Sequence, residues 1–256
     1  MLFSNLIQAN LKTKKIGKKI EYYPKTESTN IDAWDLIKSE EIINGTIIIT
    51  DNQFQGQGRN GHSWFMGPGK GIAISIILID KIQKHKALLI PIITGIGIIK
   101  TLESFGIKAS LKWPNDIFVK DKKLGGILCE SKVSKNSVNQ LVIGIGLNVN
   151  EIQDDFPKEL KSSATSCKIV TGKPLQREIL LAKMLDYIEL QLNMIKDDTR
   201  TIINIWESYC IHINKPISFY YNKKKLDGIF IGLDASGQAI IKIDKSKKLF
   251  SSIIID

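Results

Sequence analysis

Apolar and polar positions alternate on two different rhythms along this chain. From Glu21 to Leu147 short β-branched runs are separated by polar, glycine-bearing loops. "IEYYP", "GTIIIT" and "IAISIILI" (Ile72 to Ile79) read as strands, because β-branched side chains suit a pleated surface. Four more strands are expected at about 109–113, 116–120, 124–132 and 140–147, with hairpin turns at "VKDKK" and "SKNSVN". Helical spacing takes over elsewhere. Ile31 to Lys38 carries Ala33, Trp34 and Ile37 on one side, with Ser28 and Thr29 placed to cap it. Ala87 to Phe105 is apolar nearly all round and predicts a buried helix lying on the sheet. Gln176 to Ile195 repeats Leu181, Met184, Leu185, Ile188, Leu192 and Ile195 at helical intervals, and "TIINIWESYC" predicts a last helix. From Pro216 the texture changes to short strands joined by Asp-Gly and Ala-Ser-Gly turns, a small all-β barrel with little core of its own. The expected organisation is a basic lead-in at 1–20, an α+β body at 21–213 with helices packed on one face of a mixed sheet, and the barrel at 214–256.

Composition narrows the class. With 256 residues, 43% hydrophobic and 24% charged, the chain has the balance of a globular protein. The longest apolar run, "ALLIPIITGIGII", is short for a bilayer span and is interrupted by Pro91 and two glycines. The N-terminus lacks the pattern of a secretory signal, and Cys129, Cys167 and Cys210 are too far apart for a metal site or a disulfide framework. A reducing cytoplasm and no membrane association are expected. The formal charge of +10 raises nucleic-acid binding as a possibility, but the lysine clusters "KTKKIGKK", "NKKK" and "KIDKSKK" are scattered and not interleaved with aromatics.

Four stretches carry candidate chemistry. In "QFQGQGRNGHSW", Gly56, Gly58 and Gly61 keep a loop flexible with accessible amides, and Arg59 adds a fixed positive charge; such a loop can wrap an anion. In "LKWPNDIFVKDKKLGGILCES", Pro114 stiffens a corner that sets Asn115 and Asp116 at a strand end, where a carboxamide can read a base edge and a carboxylate can hold magnesium or a ribose. Lys122 and Lys123 precede Gly125 and Gly126, and glycines in a strand suggest that something approaches the backbone closely. "TESTN" supplies hydroxyls that can cap a helix or bind a ligand, and "IGIGLNVN" ends an apolar strand at Asn148, which can contact a ligand or satisfy a neighbouring backbone.

In this order and spacing, "STN", "GQGRNGHSW", "KWPND…KKLGGIL" and "GIGLNVN" resemble the catalytic core of the biotin–protein ligases, over about residues 20–256. The resemblance implies a class II synthetase-like catalytic domain with an SH3-like C-terminal barrel, in the monofunctional form without the DNA-binding module. It implies two steps: ATP and biotin, with Mg2+, give biotinyl-5′-adenylate and pyrophosphate, and a lysine of a biotin carboxyl carrier protein then takes the biotin. By motif, Ser28, Thr29, Asn30, Gln53, Gly58, Arg59, Lys123 and Gly126 would bind biotin. Gly56, Gly58, Arg59, Trp64, Asn115 and Asn148 would hold the nucleotide. Lys123, Arg59 and Asp116 would be catalytic, with Asp116 also the candidate metal ligand and Lys112 a structural neighbour. Gln57 and His62 depart from the family's arginines, so less positive charge is expected there. No DNA partner is expected, and a monomer or a homodimer fits equally. Two alternatives stay open, lipoyl ligation on the same fold and a basic nucleic-acid-binding protein.

Overall fold

The computed structural model describes residues 1–39, 42–134, 137–195 and 198–255. Its larger sheet contains β1 (Ile20–Tyr23), β2 (Ile47–Thr50), β3 (Ile72–Leu78), β4 (Ile82–Gln83), β5 (Ser110–Lys112), β6 (Asp116–Val119), β7 (Lys122–Ser134) and β8 (Ser137–Leu147). The strands lie in the order β1-β2-β3-β8-β7-β6-β5, with β4 also on β8; β1 and β2 are parallel and every other pair is antiparallel, so the sheet is mixed. The turn expected at 134–139 includes residues 135 and 136, which lie outside the described residues.

The helices are α1 (Ser4–Asn10), α2 (Thr29–Lys38), α3 (Leu89–Ser104), α4 (Cys167–Thr171), α5 (Arg177–Met194) and α6 (Thr199–Tyr209). Alternation along the strands decides which of them each face meets. Ile47, Ile49, Ile74, Ile76, Ile143 and Ile145 join the large core with α3, α5 and α6. Ile48, Ile77 and Val142 point the other way and pack on Ala33 and Ile37 of α2. The helices expected on one face are thus α3, α5 and α6, while α2 lies across the opposite face. Taken from Lys84 to Ser104, the run expected to be too short for a bilayer is long and apolar enough to cross one, with a mean hydropathy of 1.6. Here it is core: α3 is packed against α5, α6 and β7.

The N-terminal segment is integral to the body. Leu2, Ile7 and Ile16 are buried in the main core. Glu189 of α5 accepts the backbone N–H groups of Lys14, Lys15 and Ile16 at 2.5–2.9 Å, and Asp51 accepts from Leu2 N, the Tyr22 hydroxyl and Arg177.

The C-terminal residues form a second sheet from β9 (Lys215–Tyr221), β10 (Lys224–Leu233), β11 (Ala239–Ile243), β12 (Ser246–Phe250) and β13 (Ile254–Ile255), in the order β12-β11-β10-β9-β13. Its Phe219, Phe230 and Phe250 are continuous with the main core. Polar bonds add orientation: Glu207 accepts Leu233 N at 2.7 Å, and Trp113 Nε1 donates to Gly237 O at 3.2 Å. A sheet this small stands because it shares a core.

Candidate functional site

The site lies on the α2 face of the large sheet. Register sets Ala73, Gly146, Gly126 and Asp116 side by side across β3, β8, β7 and β6, with Ser75, Gly144 and Leu128 in the next row on β3, β8 and β7. Three of these seven positions lack a side chain, so the sheet surface is hollow there. At two of them the protein fills the hollow itself: a Cβ on Gly146 would collide with the Trp64 indole, and one on Gly144 with the Asn30 amide. At Gly126 a Cβ would make only ordinary contacts, 3.4 Å to Asp116 Oδ1 and 3.6 Å to Lys123 Nζ. The floor is open at that point.

A cavity of about 230 Å3 stands on this floor. Ser28, Thr29, Asn30, Gln53, Gly58, Arg59, Trp64, Asn115, Asp116, Lys123 and Gly126, all singled out from sequence, line it together. Gln57, His62 and Lys112 line it as well. The side chains of Gln57 and His62 are largely exposed, whereas Arg59 is half-buried.

One end is a neutral hydrogen-bonding wall. Ser28 occupies the N-cap position of α2, but no side-chain bond caps that helix. The Thr29 and Asn30 side chains turn to the sheet instead. Ser75 Oγ lies 2.8 Å from Thr29 Oγ1 and 2.6 Å from Asn30 Oδ1, and Gln53 Oε1 accepts Thr29 N at 2.9 Å. Asn30 Nδ2 donates to Glu130 Oε2 at 2.7 Å, so the amide is held from both ends. Fixed donors and acceptors of this kind suit a neutral polar ring system.

The other end is charged. Lys123 Nζ sits 2.8 Å from Asp116 Oδ1 and over the Trp64 ring. Its backbone is strapped from below: Lys123 N donates to Ser163 O and Thr165 N donates to Lys123 O. Arg59 donates to Asn115 Oδ1 at 3.3 Å and to Ser252 Oγ at 2.9 Å. Burial pulls the Arg59 pKa below its ordinary value, while the charge of Asp116 pulls it back up. Arg59, Lys112 and Lys123 face a single carboxylate, Asp116, so the cavity attracts anions.

Two expected nucleotide contacts fall outside the lining. Gly56 lies behind it, where a Cβ would strike the Gln53 side chain and Trp64 O, so its role is to let the loop fold onto the sheet. Asn148 is buried one layer below and donates from Nδ2 to Thr165 O at 3.0 Å, bracing the strap under Lys123. Its Oδ1, like Trp64 Nε1, is buried without a hydrogen-bond partner. Asn115 does line the cavity, but its side chain is engaged with Ile127 O at 2.7 Å and with Arg59. Asp116 pairs with Lys123, and no group of three or more metal-binding side chains occurs among the described residues. Burial pushes the Cys129 thiol up to about 12.

Other contributors were not foreseen. Ser75 interrupts an otherwise apolar strand, a signal visible in "IAISIILI". Glu130 orients Asn30 and also accepts from Trp34 Nε1. Ile253, Ile254 and Ile255 bring the C-terminal sheet to the cavity wall, a contact between segments distant in sequence.

Comparison with known proteins matches residues 22–148 to the biotin/lipoate A/B protein ligase family. The chain is 31% identical over 255 residues to the bifunctional ligase/repressor BirA of Bacillus spizizenii, covering 97% of this chain and 77% of that protein. It is 26% identical to the biotin–[acetyl-CoA-carboxylase] ligase of Paracoccus denitrificans, covering 85% and 92%. Among solved structures, the biotin protein ligase from Aquifex aeolicus in complex with biotin and ATP superposes with a TM-score of 0.79 at 28% identity, covering 93% of this chain and 98% of that one.

Proposed function

The chain belongs to the biotin–protein ligases, and from that premise we propose how its cavity performs ATP-dependent biotinylation. In the first step the biotin carboxylate attacks the α-phosphorus of ATP and pyrophosphate leaves, giving the mixed anhydride biotinyl-5′-adenylate. In the second a lysine amine of the carboxylase's biotin carrier attacks the acyl carbon, AMP leaves, and an amide remains.

The single observation that carries the reading is the division of one cavity into a neutral hydrogen-bonding wall and a cationic end over an open glycine floor. Thr29, Asn30 and Gln53, held by Ser75 and Glu130, would bond the neutral ring of biotin, with Ser28 beside them. Gly126 would let that ring rest on the strand. Lys123 and Arg59 would bring together two anions that repel one another and stabilise the charge that builds on phosphorus, the term of largest leverage in such reactions. Lys123 needs no loss of its proton for this. Asp116 keeps the ammonium aimed across the floor before substrates arrive. Once phosphate draws Lys123 away, the Asp116 carboxylate is free to receive the acceptor's ammonium. Trp64, with its buried unpartnered indole N–H, would complete the nucleotide side, with Asn115, Gly58 and the loop held by Gly56 around it, while Asn148 would brace the strap under Lys123 from the layer below.

Magnesium belongs to the nucleotide in this scheme. One carboxylate, already paired with a lysine, is no cage for the ion, which is commonly held by few carboxylates together with substrate phosphates. The spread of the lysines along the chain supports a ligase without a DNA partner over a nucleic-acid-binding protein. Three unpaired cysteines support a cytoplasmic setting. Either a monomer or a homodimer is compatible with one complete cavity per chain.

The direct test is transfer of biotin by the purified protein to a biotin carboxyl carrier domain with ATP and magnesium. Biotin plus ATP should raise the melting temperature strongly, because ligands that bind only the folded state stabilise it. Stabilisation and transfer with lipoate in place of biotin would overturn the reading.

A further inference from the structure

Residues 51–71 join β2 to β3, strands that lie side by side with Thr50 opposite Ala73. Antiparallel neighbours are ordinarily joined by about two to five residues. Closing a connection this long costs entropy, and nothing in its length fixes its shape. Yet it carries Gln53, Gly58, Arg59 and Trp64 to the cavity. Their placement therefore depends on how its two ends are held.

One side chain holds both ends. Arg177, the first residue of α5, donates from Nη2 to Asp51 Oδ1 at 2.7 Å and from Nη1 to Gly71 O at 3.0 Å. Gly69 N donates to Asp51 O at 2.7 Å and closes the base of the connection. Asp51 is fixed from two further sides, since its Oδ2 accepts Leu2 N at 2.9 Å and the Tyr22 hydroxyl at 2.7 Å. Burial acts to raise the Asp51 pKa, but the bonds from Tyr22, Arg177 and Leu2 outweigh it and hold the carboxyl below its ordinary value. With side chains 7% and 13% exposed, Arg177 and Asp51 form a shielded pair, in which a forked guanidinium gives direction as well as charge. The fork is delivered from the core, where Leu180, Leu181 and Leu185 anchor α5.

Neither Arg177 nor Asp51 lines the cavity. Both reach it through the backbone. Asp51 lies two residues before Gln53, which accepts Thr29 N in the neutral wall, and Gly71 leads directly into β3 with Ser75. We propose that the Arg177–Asp51 pair is a positioning clamp for the ligation reaction. By pinning both ends of the 51–71 connection to α5, it sets where Gln53, Arg59 and Trp64 meet biotin and the nucleotide, and so keeps the adenylate in place until the acceptor arrives. The inference rests on the ligase reading and adds two residues that touch neither substrate.

The test uses R177K, which keeps the charge and loses the fork, and D51N/R177Q, which removes both charges without stranding either. Escape of preformed biotinyl-adenylate is followed in a chase, beside the biotin KM and the single-turnover rate of pyrophosphate release at saturating substrates. Adenylate should escape about tenfold faster and the biotin KM should rise by a similar factor, while the saturated rate stays within about twofold. Tyr22→Phe deletes one bond to Asp51 and keeps the ring, so it reads the clamp even if the double variant fails to fold. It should move both quantities about threefold in the same direction. A lowered melting temperature with adenylate lifetime and biotin KM within about twofold of the wild type would make the pair a stabilising contact only and overturn the proposal. A loss confined to the saturated rate would overturn it as well. Absence of biotin-dependent pyrophosphate release from the wild type would instead overturn the ligase reading.

Discussion

The two faces of the large sheet are made by the same strands and could hardly differ more. In β3 and β8, Ile74, Ile76, Ile143 and Ile145 enter the main core, while on the other parity Gly144 and Gly146 line the cavity, with Ala73 and Ser75 paired beside them on β3. One face gains by excluding water from close-packed isoleucines. The other gives up that packing so that ligand can occupy the space. Strand parity assigns stability to one set of residues and function to its immediate neighbours, which makes the division testable position by position.

The largest effect expected is on the core side. Ile76→Ala, at a fully buried position, should cost about 3 kcal/mol of stability through lost transfer energy and a residual cavity, read as a lower denaturant midpoint. KM for biotin should stay unchanged in the folded fraction. Gly126→Ala should do the reverse. Its methyl meets only ordinary contacts in the protein, so stability should hold, while biotin affinity falls roughly 10–100-fold from crowding by a single methyl, about 1–3 kcal/mol. A marked loss of melting temperature in Gly126→Ala, or unchanged biotin titration, would break the comparison. Ser75→Ala tests the middle ground, since Ser75 belongs to the site face but makes bonds to protein. We expect a stability loss of about 1 kcal/mol together with weaker biotin binding, measured by melting and calorimetric titration.

A last effect, felt only in acid, lies off both faces, at the seam with the C-terminal sheet. Burial, helped by Lys112 and Lys215, lowers the His212 pKa to about 4. The unfolded chain, with an ordinary histidine, binds the proton at higher pH than the folded one, so stability falls as pH drops from about 6.5 toward 4. Allowing for its partial exposure, His212 should account for about 1–2 kcal/mol of that loss. His212→Gln should flatten the acid slope in melting scans, and an unchanged slope would assign it elsewhere.

Much of this was readable from sequence because it is local. Strand parity marks the apolar face, and the glycines of "KKLGGIL" and "GIGLNVN" mark the hollow one. The side of the sheet on which α2 lies was not legible, since its short apolar stripe fits either face; register through Ile48 and Ile77 decides it. Motif position alone could not separate residues that line the cavity from those one layer behind, which is why Gly56 and Asn148 were expected as contacts. Nor could it place Ile253–Ile255 beside Arg59, since that contact depends on how a second sheet docks. The N-terminal stretch looked like a lead-in because its lysines mask Leu2, Ile7 and Ile16, which are core.

Central to the account is an ammonium, poised by Asp116 above the one uncovered stretch of floor, that offsets the repulsion between carboxylate and nucleotide. Biotin-dependent pyrophosphate release by Lys123→Met tests it most directly, with the melting temperature checked alongside. The account predicts an intact fold and a rate reduced by about 10²–10³, the usual cost of removing one preorganised electrostatic group. Turnover near the wild-type rate in a folded Lys123→Met protein would contradict it.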